Sequence, residues 1–210
     1  MGRIIQNNNV GRTKSVPKRL LDELRDRHSN LHVLQLDGTD YKSFDGFAKQ
    51  VADIVGDRGL DTLILSAGIC IWHRLDEVTA EDMVTNFEVN AVSRLMLSKA
   101  LLPVLKLSAA TKRKTTIVNI GALLGSIEFI HNLPHRILYP YVVSKTAINM
   151  ISKCLDVDLA PHGIRSVVIH PGHVATDMGG EPTEYVEQFT VQKSVAQVLR
   201  TAQNVKESDY

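Results

Sequence analysis

Thr115-Thr116-Ile117-Val118-Asn119-Ile120, followed by Tyr141-Val142-Val143-Ser144-Lys145 and then by Arg165-Ser166-Val167-Val168-Ile169-His170-Pro171-Gly172, decides the fold of this chain. The first run is rich in β-branched residues with apolar side chains on both alternations, the pattern of a strand covered on both faces. From Tyr141 the apolar positions recur at helical spacing as far as Pro161-His162-Gly163, where glycine after the last turn marks a helix end. Arg165 to His170 then reads as a second buried strand. Strand, helix and strand in that order form the unit of a parallel sheet.

The same alternation extends outward. Pro17 to His28 reads as an amphipathic helix through Leu20, Leu21 and Leu24, with Pro17 suited to its first turn. Leu31 to Leu36 is a short apolar strand closed by Asp37-Gly38. Phe44, Phe47, Val51, Ile54 and Val55 mark a helix that stops at Gly56 to Gly59, and Leu60 to Leu65 is a strand running into Ser66-Ala67-Gly68. Thr79 with Asp82 forms a capping box opening one long helix to about Leu107. Gly121 to Arg136 is a loop, and Val191 to Ala202 a last helix. Residues 1–16 are expected to be irregular, because Asn7-Asn8-Asn9 favours turns. The expectation is one α/β domain, a Rossmann-like doubly wound parallel sheet over residues 17–210, without internal repeat or linker.

At 210 residues and 44% hydrophobic the chain is long enough for one substantial core. Its formal net charge of +1 gives no global field for nucleic acid or an acidic membrane. No apolar run approaches the length of a membrane span, and the N-terminus has neither a signal-peptide pattern nor a myristoylation motif, so a cytoplasmic protein is expected. Cys70 and Cys154 match neither a metal pattern nor a disulfide framework and read as free thiols. His131 and His135 have the spacing of a helical metal pair, but Pro134 between them places them in a loop, and no metal site is expected.

In doubly wound sheets ligands bind beyond the carboxyl ends of the strands. Asp37, Ser66-Ala67-Gly68, Gly121-Ala122 and Pro171-Gly172 all follow strands. Tyr141 and Lys145 lie one turn apart on one helix face. A tyrosine, with an ordinary pKa near ~10, needs help to move a proton at neutral pH, and a neighbouring ammonium favours its phenolate. Such a pair can serve an alcohol or carbonyl oxygen. Taken singly, each feature also has a plain structural reading: Tyr141 and Lys145 as unrelated surface residues, Asn90 as a helix amide, Asp37 as a turn former, Pro171-Gly172 as a tight turn.

Together these residues resemble the short-chain dehydrogenase/reductase family, in particular its sniffer-type carbonyl reductases. Asn90, Ile117-Val118-Asn119-Ile120, Leu124-Gly125-Ser126-Ile127 and Tyr141-Val142-Val143-Ser144-Lys145 carry the resemblance. It continues through Val157-Asp158-Leu159-Ala160-Pro161-His162-Gly163-Ile164, His170-Pro171-Gly172 and Thr176-Asp177-Met178-Gly179-Gly180. The resemblance implies an NADP(H)-dependent oxidoreductase, NADP rather than NAD, reducing a carbonyl or oxidising an alcohol on a small molecule. Tyr141 would be the general acid, Lys145 would hold the nicotinamide ribose, and Asn90 would belong to the proton relay. Asp37, Ser66, Ala67 and Gly68 would line the adenine side, and Pro171, Gly172 and Thr176 would position the nicotinamide. The family's pairing helices correspond to residues 81–107 and 141–160, which allows a homodimer.

Three departures from the family pattern bear on activity. Its catalytic serine is Ala122 here, and Ser126 lies four residues further on. Its Gly-rich phosphate turn after the first strand is missing, with that strand and the first helix. This leaves a gap in the sheet that Arg3-Ile4-Ile5 is short to fill. Gly11-Arg12-Thr13 would then follow the second strand, where a basic residue meets a 2′-phosphate. The adenine-side asparagines read Leu65-Ser66, and a last strand is missing after Val191 to Ala202. An impaired enzyme, a catalytically inactive relative acting as a binding or dimerisation partner, and a piece of a longer protein are the three readings this leaves.

Overall fold

The computed structural model describes residues 3–8, 18–132, 137–180 and 187–205. β1 (Arg3–Asn8) pairs in parallel with β2 (Leu31–Leu36), with α1 (Lys18–Arg27) between them in sequence. This corrects the expectation that residues 1–16 are irregular throughout. The ladder from Arg3↔Leu31 to Asn8↔Leu36 gives Asn7 and Asn8 the backbone partners that local preference alone denies them.

α2 (Phe44–Val55) buries Phe44, Phe47 and Val51 at helical spacing. β3 (Thr62–Leu65), β4 (Thr115–Ile120) and β5 (Ile164–Ile169) form a second parallel sheet in the order β3-β4-β5. Residues 115–119 of β4 are all buried, as a strand covered on both faces must be. Among the described residues no strand joins the two sheets by hydrogen bonds: β1 pairs with β2, and β3 with β4.

α3 (Ala80–Phe87) begins with the expected capping box, Asp82 N–H to Thr79 Oγ1 at 3.1 Å and Thr79 N–H to Asp82 Oδ2 at 2.8 Å. The single long helix expected to Leu107 is in fact three segments. A π-turn over Glu88–Val92 leads into α4 (Ser93–Ala100), and α5 (Leu102–Ala110) follows a break at Leu101. Pro103 lies in the first turn of α5 and has no N–H for a preceding carbonyl, so the chain reorients there.

α6 (Tyr139–Leu159) starts two residues before Tyr141 because Pro140 suits a first turn. Gly163, at φ 74°, takes the left-handed conformation that ends the helical run and turns the chain into β5. The junction is locked by buried Asp156, which accepts from Arg165 Nε at 2.8 Å, Arg165 Nη2 at 3.0 Å and Ser166 N–H at 3.0 Å. Beyond β5, β6 (His173–Val174) and β7 (Gln188–Phe189) form a small parallel pair, and Thr190 caps α7 (Val191–Asn204).

One core spans both sheets. Leu36 of β2, Phe44, Phe47 and Val51 of α2, Leu65 of β3, Leu97 of α4, Leu105 of α5 and Ile117 of β4 belong to a single buried cluster. A second cluster packs Val198 and Ala202 of α7 on Val118 and Ile169. Helices therefore cover both faces, and the loops after β3, β4 and β5 converge near the start of α6.

Candidate active site

The sequence pairs Tyr141 with Lys145, and α6 presents them together. Lys145 Nζ lies 5.3 Å from the centre of the Tyr141 ring and donates to the Ile120 carbonyl at 3.1 Å. The lysine thus meets the face of the phenol while its hydrogen bond goes to the end of β4. Burial pushes the Tyr141 phenol up to about 12, Cys70 adds to the shift and Arg94 opposes it. Lys145 is drawn down to about 7, first by burial and then by repulsion from Arg94, with Cys70 opposing. Removal from water disfavours the charged form of each group and is the largest cause of both shifts.

Asn90 sits on the π-turn, fully buried. Its Oδ1 accepts from Ile69 N–H at 2.8 Å, and its Nδ2 donates to the Ile69 carbonyl and to Ser144 Oγ, both at 2.9 Å. Asn86, one turn earlier, accepts from Ile71 N–H at 3.0 Å and donates to the same Ser144 oxygen at 3.1 Å. Ser144 in turn donates to the Tyr141 carbonyl at 2.7 Å. The two amides clamp the loop after β3 and tie it to the first turn of α6. Asn90 reaches the backbone of Tyr141 through Ser144.

Gly68 is where that loop passes closest: a Cβ there would lie 2.8 Å from Asn90 Oδ1. The Ala67 carbonyl accepts from Arg94 Nη2 at 2.7 Å, and Ser66 is exposed. On the opposite side, the loop after β4 is pinned to α6. The Gly125 carbonyl accepts from Thr146 Oγ1 and Asn149 Nδ2, both at 3.0 Å, and His170 Nδ1 accepts from Leu123 N–H at 3.3 Å. Ala122 is held in extended backbone between these anchors. Ser126 Oγ accepts from Phe129 N–H at 3.3 Å within its own turn.

The other expected cofactor residues make no hydrogen bond to this group. Asp37 is exposed and accepts from the N–H and hydroxyl of Thr39 at 2.9 and 2.8 Å, as an ordinary turn former does. Thr176 accepts from Gly179 N–H at 3.1 Å, and the Pro171 carbonyl accepts from Ser194 Oγ at 2.8 Å. Pro171 and Gly172 border a cavity of about 600 Å³ between the end of β5 and α7, lined also by His170, Phe189 and Arg200. Tyr141 and Lys145 lie outside that cavity. Gly11, Arg12, Thr13 and His135 lie outside the described residues. Among the described residues no group of three or more metal-ligating side chains occurs.

Sequence reasoning missed Asn86, His170 and Arg94. Asn86, Asn90 and Arg94 recur every four residues, a polar column on one helix face whose inward direction was a usable signal. His170 is shifted down by burial and by Lys145, which places it within electrostatic range of the pair.

Residues 5–186 match the family model for short chain dehydrogenase. The NADPH-dependent 3-dehydrocapnine reductase of Ornithobacterium rhinotracheale is 29% identical over 170 residues, which is 77% of this chain and 58% of that protein. The chain therefore spans less than two thirds of that relative's length. The carbonyl reductase Sniffer of D. melanogaster superposes with a TM-score of 0.87 at 30% identity, covering 99% of this chain and 82% of that one. The NADPH-bound carbonyl reductase from chicken fatty liver gives 0.88 at 32% identity, covering 98% and 81%.

Proposed function

Since the chain belongs to the short-chain dehydrogenase family, we propose that it is an NADP(H)-dependent oxidoreductase that reduces the carbonyl group of a small molecule, with Tyr141 as general acid. The observation that carries the reading is the Tyr141–Lys145 turn, seated on the Ile120 carbonyl where the loops after β3 and β4 meet. A phenol pushed up to about 12 keeps its proton at neutral pH. That is the protonation state from which it can give a proton to an oxygen as it becomes an alcohol. NADPH, when bound, supplies the hydride. Lys145 gives one N–H to Ile120 and in either protonation state keeps at least one more for a sugar hydroxyl. Asn90, through Ser144, keeps the first turn of α6 in place.

The fit is confined to the nicotinamide end. The described residues include no glycine-rich turn opening a helix, where a pyrophosphate would take backbone N–H groups. Thermal shift against NADPH, with NADH as comparison, tests cofactor binding. NADPH should raise the melting temperature progressively with concentration and more than NADH does. No saturable shift at millimolar NADPH removes the enzymatic reading.

A partner reading rests on a separate observation. Val143, Ala147, Met150, Cys154 and Val157 recur at alternating four- and three-residue intervals along α6, and Met150 and Val157 are 66% and 62% exposed. Val84 and Phe87 are also exposed on the adjoining α3. We infer a second copy of this chain packed helix against helix along that stripe, whether or not the site turns over. Light scattering is expected to give twice the chain mass and Met150→Glu the single mass; a wild-type monomer at all concentrations would overturn it. With no described helix long and apolar enough to cross a membrane and a net charge of +1, a cytoplasmic enzyme without membrane or nucleic-acid partners is the consistent proposal.

A further inference from the structure

Arg94 extends from the first turn of α4 and is 4% exposed. Its Nη1 donates to the Ile120 carbonyl at 2.9 Å and its Nη2 to the Ala67 carbonyl at 2.7 Å. Lys145 Nζ donates to the same Ile120 oxygen at 3.1 Å. Two cationic side chains thus share one acceptor, and no carboxylate is among the partners of either in the described residues. A guanidinium buried without an anion is costly, and a well-packed core position would be expected to carry an apolar side chain instead.

We propose that Arg94 is a positioning residue that acts through Lys145: it fixes the Ile120 oxygen on which the lysine is seated and presses a permanent positive charge against it. Its significance for turnover rests on the reduction proposed above; the electrostatic claim stands apart from it. The titratable groups facing Lys145 are Tyr141 on α6, Cys70 in the loop after β3, and His170 at the end of β5. Burial pushes the Tyr141 phenol and the Cys70 thiol each up to about 12, and His170 is lowered, so all three are uncharged at neutral pH. Arg94 is then the permanent charge acting on Lys145 among the described residues. A like charge disfavours the ammonium, so Lys145 sheds its proton at a lower pH than burial alone would set. Arg94 opposes the upward shift of Tyr141 as well, which eases formation of the phenolate after proton transfer.

The test follows the reactivity of Lys145 itself by reductive methylation of the folded protein across pH about 6 to about 10, read by peptide mass spectrometry, with exposed Lys49 as reference. In the wild type, Lys145 should reach half-maximal reactivity near pH 7. Arg94→Met should move that midpoint up by about one pH unit or more, whereas Arg94→Lys, which keeps the charge, should leave it near the wild-type value. Arg94→Gln, which keeps a donor for one carbonyl, makes the same prediction as Arg94→Met should the latter not fold. A wild-type midpoint at the ordinary lysine value of about 10.4, or an unmoved midpoint in a folded uncharged variant, overturns the proposal. Neither cofactor nor turnover enters the measurement. Failure of NADPH to bind would therefore remove the reduction reading and leave this result intact.

Discussion

Tyr141→Phe is expected to lower NADPH-dependent carbonyl reduction by a factor of about 10²–10⁴, the usual contribution of a positioned proton donor. The substitution removes one oxygen and keeps the ring that lies under Lys145. Ser144 bonds to the backbone carbonyl of Tyr141, and the clamp from Asn86 and Asn90 ends on Ser144, so the local scaffold does not depend on the phenol. Melting temperature should accordingly change little while kcat/KM collapses for every carbonyl compound tried. Equal rates for wild type and variant, with cofactor bound in both, would remove Tyr141 from the role of acid.

Ala122→Ser is expected to act in the opposite direction, raising kcat by up to about 10²–10³, the contribution of one well-aimed donor to a developing oxyanion. Such a gain requires a hydroxyl delivered by a rigid backbone, and position 122 has one. The following Gly125 packs so tightly on α6 that a Cβ would lie 2.8 Å from the Lys145 carbonyl group, and His170 receives the Leu123 N–H. Steady-state rates on matched carbonyl substrates decide the matter. An unchanged rate in a variant that binds NADPH as well as the wild type would mean that residue 122 is not aimed at the substrate oxygen.

What could be read from the sequence is what local chemistry decides. Thr115–Ile120 is apolar on both faces and became the central strand; Thr79 and Asp82 cap each other three residues apart; Gly163 ends the helical run where a left-handed residue is required. Tyr141 and Lys145 were legible because four residues on a helix is a spatial statement. What stayed hidden depends on distance in space. The strand at Arg3–Asn8 owes its existence to a partner more than twenty residues away, against the turn preference of its own asparagines. The upward shift of Tyr141 follows from loss of water, which no spacing encodes. Arg94 is one charge among many in the sequence, and only the contacts of its guanidinium with the carbonyls of Ala67 and Ile120 single it out.

The π-turn at Glu88–Val92 gives that column its alignment. In a uniform α-helix, residues four apart advance by about 40° beyond a full turn, so Asn86, Asn90 and Arg94 would fan out across roughly 80° of the surface. A π-turn winds more slowly, with its hydrogen bonds reaching one residue further, and takes up that drift. It serves as a phase corrector, letting three polar side chains point into one dry seam beneath the strand ends. The widened turn is thus the geometric condition for a loop clamp and a buried cation to occupy the same helix face.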